Sequence, residues 1–188
     1  MSTSPDPIVP GDIFALDPAA AEARLDELAE LLVDAVAGGA SVNFLAGFDR
    51  DAARAWWRGS ALPGLAAGER VVLVAERGKT LVGTVQVVFA GQPNQPHRAD
   101  VAKMLVHSSA RGAGLGARLL AAAEATALDH GRTLLTLDTE SGSAGERLYR
   151  RGGWTPIGAI PGYALTTDGR PAAATFFYKA LAPRPASG

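Results

Sequence analysis

The sequence predicts an α/β domain in which a mixed, mainly antiparallel central sheet carries helices on both faces. Three observations point there. Strand-like runs at 70–76, 80–89 and 98–106 follow one another closely, as an antiparallel meander does. The last of them enters a glycine-interrupted turn that opens onto a long Ala/Leu-rich helical segment. Helical and strand-like patterns alternate along the chain, yet without the regular βαβ repeat that an all-parallel sheet needs.

Residues 1–7 and 182–188, rich in Pro, Ser and Ala, read as flexible tails around one domain spanning 8–181. The start has neither a basic cluster nor an apolar stretch, so it is not expected to be a signal peptide. Asp17-Pro18 reads as an N-cap with proline in the first turn, and Leu25, Leu28, Leu31, Leu32 and Val36 recur at helical spacing up to Gly38-Gly39. A second helix over 49–58 holds Trp56 and Trp57 and is closed by Pro63-Gly64. The tryptophan pair reads as packing, the alternative being that one of them lines an acceptor pocket or a subunit contact. Arg77-Gly78-Lys79 tightly links the first two strands, whereas 91–96 is a longer, proline-broken loop. The helix over 114–130 ends at Gly131, and a strand over 134–139 follows. Ser143-x-x-Glu146 is a capping box for a short helix stopped by Gly152-Gly153, and 174–179 supplies the last strand.

Composition excludes several function classes. At 188 residues the chain is long enough to bury a core without staples, and with no cysteine it has no disulfide framework, thiol nucleophile or thiolate metal site. A formal net charge of −1 gives no basic field for nucleic acid. No window approaches the roughly 20 apolar residues of a membrane span, so a cytoplasmic protein without a membrane partner is expected. His97, His107 and His130 lack metal-ligand spacing, and no metal is expected. No Gly-x-Ser-x-Gly elbow marks a hydrolase.

The turn at 111–116, Arg-Gly-Ala-Gly-Leu-Gly, is where chemistry concentrates. Its glycines open backbone conformations closed to other residues, so consecutive amides can converge on an anion in front of a helix N-terminus. A pyrophosphate suits such a cradle. The spacing is not the Gly-x-Gly-x-x-Gly of a dinucleotide site, and Gly78-Lys79-Thr80 is not a P-loop because Leu73 stands where its first glycine belongs.

Arg111-x-x-Gly114-x-Gly116 after a strand and into a helix resembles the acetyl-CoA-binding signature of the GNAT acetyltransferase superfamily. Downstream, Leu148-Tyr149-Arg150-Arg151-Gly152-Gly153-Trp154 is similar to that superfamily's Leu-Tyr-x-x-x-Gly-aromatic segment. Leu137-Asp138-Thr139-Glu140, with Pro161-Gly162-Tyr163 and Phe176-Phe177-Tyr178-Lys179, resembles its tabtoxin-resistance branch. The resemblance covers roughly residues 70–180. It implies a GNAT-like fold, acetyl-CoA as co-substrate, and transfer to a primary amine of a small acceptor, amino-acid-like or antimicrobial, with a role in antibiotic resistance. It further implies a homodimer.

By the same resemblance, Met104, Leu105 and Val106 receive the pantetheine arm, and Arg111, Gly112, Ala113, Gly114, Leu115, Gly116 and Ala117 hold the pyrophosphate. Tyr149 is the expected donor to the departing thiolate, since a phenol stays protonated at neutral pH. Asp100 and Asp138 stand inside strands against local propensity, which marks them as candidates to bind the ammonium and relay its proton. Simple alternation places Asp100 on one face with Ala102, Met104 and Val106. Which aspartate acts as base is left open. Many superfamily members carry an asparagine after the strand at 134–139, where this chain has Ser141-Gly142-Ser143, so a serine hydroxyl is the available substitute. With no cysteine, direct transfer without an acyl-enzyme is expected.

The acceptor pocket is expected from segments near 43–48, 92–98 and 158–163; His97 facing it from its loop is only the lesser alternative. Rival readings are a protein N-terminal or lysine acetyltransferase and a non-catalytic acetyl-CoA sensor.

Overall fold

The computed structural model describes residues 13–182, so the expected tails lie outside the described residues, apart from Ala182. Along the chain come β1 (Ile13–Leu16), α1 (Pro18–Ala23), α2 (Leu25–Ala37), α3 (Arg50–Trp56), a π-helical turn (Trp57–Ala61), α4 (Leu62–Ala66), β2 (Arg70–Arg77), β3 (Thr80–Phe89) and β4 (Arg98–Val106). A 3-10 turn (Ser108–Ala110), α5 (Leu115–Asp129), β5 (Leu134–Glu140), α6 (Ala144–Arg151), β6 (Thr155–Leu165) and β7 (Pro171–Ala180) follow. The strands form one sheet in the order β1-β2-β3-β4-β5-β7-β6. Every pairing is antiparallel except β4 with β5.

Helices cover both faces, which is why the central strands are apolar on both sides. In β2, Leu73 and Ala75 enter the cluster that α5 and Tyr149 of α6 complete, while Val72 and Val74 enter the cluster built with α2. No helix among the described residues is long and apolar enough to cross a membrane.

Four expectations are corrected. The first helix is two, because Arg24 leaves helical geometry (φ −106°, ψ 19°) to bond Glu27, Glu76 and the Lys79 carbonyl. The second does not stop before Pro63: α3 passes through the π-helical turn into α4, where Pro63 stands in the first turn and its missing N–H is harmless. That turn seats Trp57, fully buried, with its indole N–H donating to the Leu28 carbonyl at 3.0 Å.

The Ile160-Pro161-Gly162-Tyr163 stretch, expected near the acceptor pocket, is a bulged part of the edge strand β6, with Ile160 and Tyr163 exposed. Prolines and glycines hid this strand, and they are tolerated because β6 pairs on one side only. The fourth correction concerns β4. Its partners on β3 run Gln86↔Ala102 and then Thr84↔Leu105, so Lys103 and Met104 face one residue, and Lys103 takes φ 47°. This bulge shifts the alternation. Met104 and Val106 pack with Val101 on the α5 side, out of phase with Asp100, and Leu105 turns into the α2 side.

Candidate active site

β4 and β5 pair over three registers only, Arg98↔Leu134, Ala99↔Leu135 and Asp100↔Thr136, and then separate. A cavity of about 570 Å³ fills the notch, with Lys103, Met104 and Val106 from β4 on one side and Asp138 and Thr139 from β5 with Tyr149 from α6 on the other. A second hollow of about 610 Å³ shares Val106, Arg111, Gly116 and Leu148 with it and continues along α5. Together they form one long groove that passes the glycine turn.

The turn itself is a row of free donors. Gly112 and Gly114 sit at φ 83° and 76°, in the left-handed region that glycine adopts without steric cost. Gly114 is the N-cap of α5 and offers no side chain to the amides behind it. Among the described residues, the amides of Gly112, Ala113, Gly114, Leu115, Gly116 and Ala117 donate to no backbone carbonyl, whereas that of Arg111 is taken by Ser108. Gly116 allows close packing, for a Cβ there would stand 3.3 Å from the Leu148 side chain. Arg111 is exposed but engaged. Its Nε donates to the Val106 carbonyl at 3.0 Å and its guanidinium meets Asp34 at 3.3 Å. Asp34 also accepts from the Ser108 amide and hydroxyl, at 2.9 and 2.6 Å, which ties the turn to the end of α2.

Tyr149 is held by α6, whose N-cap Ser143 accepts from the Glu146 amide at 3.1 Å. The ring is 6% exposed, packed on Trp154 and Phe177, and its hydroxyl has no hydrogen-bond partner among the described residues. Burial, and then the Asp138 charge, push the phenol above its ordinary pKa, so it stays protonated. Asp138, whose side chain is exposed at the notch, is also raised, by partial desolvation against the opposing pull of Lys103 and with a smaller push from Asp100. The two aspartates are not equivalent. Asp100 accepts from Arg98 at 2.7 Å and from the Thr136 hydroxyl, and it does not line the cavity; Asp138 lines it and has no ion pair among the described residues.

Other expectations fare unevenly. Ala113 contributes to neither hollow, and Leu105 lines the notch although its side chain is in the core. Ser143 lines the notch and caps α6 by accepting from the Glu146 amide, which leaves its O–H as a donor, whereas Ser141 bonds Thr175 at 2.7 Å and does not line the notch. His97 is exposed at the paired end of β4 and β5, away from the notch, and residues 158–163 do not line it. From 92–98 there is likewise no lining residue, while Ala40, Ser41, Val42 and Asn43 supply a wall.

Sequence reasoning missed Lys103. Its Nζ donates to the Val42 carbonyl at 2.9 Å and lies 5.3 and 5.1 Å from the ring centroids of Phe44 and Trp56. Burial lowers its pKa to about 8, with Asp138 opposing. A lysine within the apolar run Val-Ala-Lys-Met-Leu-Val breaks propensity as Asp100 and Asp138 do, and the same rule would have found it.

Comparison with known proteins follows this geometry. The acetyltransferase (GNAT) family model matches residues 29–154, about two thirds of the chain. The ribosomal-protein-alanine N-acetyltransferase of Brucella melitensis is 27% identical, with 90% of this chain and 99% of that one covered and a TM-score of 0.67. yncA of Salmonella typhimurium, solved with its cofactor acetyl-CoA, is 24% identical over 94% of this chain and 96% of that one, with a TM-score of 0.69. An aminoglycoside 6'-N-acetyltransferase complexed with coenzyme A is similar in fold (17% identity, 92% and 98% covered, TM-score 0.68).

Proposed function

The chain belongs to the acetyltransferase (GNAT) family, and from that premise we propose that it moves acetyl from acetyl-CoA directly to a primary amine on a small acceptor. The observation that carries this reading is the row of unpaired amides from Gly112 to Ala117, which leads along one groove to a notch holding Tyr149 and Asp138.

The residues present fit the donor. Six amides and the positive end of α5 suit a pyrophosphate, and the backbone of Met104 to Val106 lines the groove where a pantetheine arm would run. Arg111 serves here by holding the turn to Asp34 and Val106 rather than as a free phosphate ligand. Bound acetyl-CoA supplies an activated acyl group.

In the proposed reaction, the neutral amine attacks the thioester carbonyl, a C–N bond forms, and the C–S bond breaks. The Tyr149 hydroxyl donates its proton to the departing sulfur, and the amine proton passes to Asp138 and on to water. Asp138 fits the base better than Asp100 because it lines the notch and partial desolvation raises its proton affinity. Asp100 orients from behind, bonded to Arg98 and Thr136.

The amino-acid-like or antimicrobial acceptor of the tabtoxin-resistance branch is the finer reading, supported by Leu137-Asp138-Thr139-Glu140. A peptide acceptor is the second reading, favoured by the 27% likeness to a ribosomal-protein-alanine N-acetyltransferase. A thiol-release screen with acetyl-CoA against amino acids, polyamines, aminoglycosides and alanine-starting peptides separates them. Turnover of free amines is the expected result. Acetyl-CoA binding without thiol release from any amine overturns the catalytic reading.

A further inference from the structure

Two side chains lining the notch carry opposite charges, and neither has an ion pair. Lys103 spends one of its N–H bonds on the Val42 carbonyl and rests against the faces of Phe44 and Trp56. No carboxylate among the described residues lies within ion-pair distance of it. Asp138 likewise pairs with no cation there, although each feels the other's field. Elsewhere the chain satisfies such a group: Lys179 meets both oxygens of Glu124, at 2.7 and 2.8 Å, and the Gly152 carbonyl.

An ammonium withdrawn from water without a counter-ion is costly. Here the cost is incurred twice, since Lys103 also occupies a left-handed backbone position that a lysine rarely adopts. The bulge has a definite geometric effect. It leaves Met104 on the α5 side, next to the row of free amides, and sends Lys103 to the opposite side against Phe44 and Trp56. The positive charge therefore stands where the acceptor, not the donor, has room. Across the notch, the negative charge is the one assigned to the amine.

Resting on the transferase reading, we propose that the acceptor is a zwitterion, carrying a carboxylate as well as its amine, and that Lys103 is the residue that binds the carboxylate while Asp138 faces the amine. Lys103, half-buried, then gains a counter-ion, and the exposed Asp138 gains a cation, when the acceptor is bound. Phe44, Trp56 and the Val42 carbonyl hold the ammonium in place beforehand, which limits the ordering cost of binding.

The test compares matched acceptors by thiol release: short amino acids, each against its methyl ester and its decarboxylated amine, with the wild type and with Lys103→Met and Lys103→Arg. The wild type is expected to favour the acid member at least tenfold in kcat/KM, mostly through KM. Lys103→Met should bring that ratio to within about twofold, and Lys103→Arg should restore part of it. Should Lys103→Met fail to fold, the wild-type ratio decides alone. Equal turnover of acid and ester by the wild type, or a preference that survives Lys103→Met, overturns the inference and leaves the transferase standing. Acetyl-CoA binding with no thiol release from any amine overturns both.

Discussion

The two halves of the groove are made of different material. The half proposed for the donor is backbone: six consecutive amides in one turn, placed by glycine conformations and a helix start. The half proposed for the acceptor is side chain: Lys103 from a bulge, Asp138 from the next strand, Tyr149 from α6, and a wall at 40–43 that follows α2. A backbone site is local in sequence and indifferent to most side-chain changes, whereas a side-chain site is assembled from distant segments and depends on each member. Substitutions should therefore split cleanly, with donor affinity moving on one side and acceptor turnover on the other.

The largest expected effect is Asp138→Asn, which should lower kcat/KM for the amine by about 10²–10⁴ and leave acetyl-CoA affinity, read by calorimetry, nearly unchanged. The pH profile sharpens this. Because partial desolvation raises the Asp138 pKa from its ordinary value of 3.8, the acid limb of kcat/KM should lie above that value and disappear in the variant. A wild-type profile flat across that range would remove Asp138 from the mechanism.

Next is Tyr149→Phe, for which turnover should fall at least tenfold with donor binding retained. On the other half, Gly114→Val places a β-branched residue at φ 76° and should weaken acetyl-CoA binding at least tenfold, with KM for the acceptor little altered. If both constants move together in these variants, the division into halves is wrong.

The smallest effect is on stability. The Lys103 ammonium is disfavoured in the folded state, its pKa being lowered from 10.5 to about 8, so the native protein binds fewer protons than the unfolded chain between those values. Stability should accordingly rise with pH across that window. Lys103→Met should melt higher than wild type at pH 7, by on the order of 1–3 kcal/mol, and the gap should close as pH approaches 10.5.

Legibility followed the same division. The strands at 80–89 and 98–106, the helix behind Gly114 and the capping box at Ser143 were readable because each depends on neighbours in sequence. What escaped depends on contacts remote along the chain. Arg24 breaks a helix to reach Glu76 and Lys79, Trp57 bends another to reach Leu28, and β6 exists only as the partner of β7. In the site, one residue inserted into the pairing of β4 with β3 undid the simple alternation around Asp100 and hid Lys103. Arg111 was found by its motif, but its bond to Asp34 spans 77 positions and no local pattern announces it.

The early parting of β4 and β5 has a kinetic consequence. The parallel neighbours β4 and β5 part company after Asp100 and Thr136, leaving a seam whose lining reaches both the α5 side and the α2 side. Two molecules can thus approach from opposite directions and meet in the middle, each without vacating the other's berth. Initial velocities measured against both substrates should then give intersecting, not parallel, double-reciprocal lines.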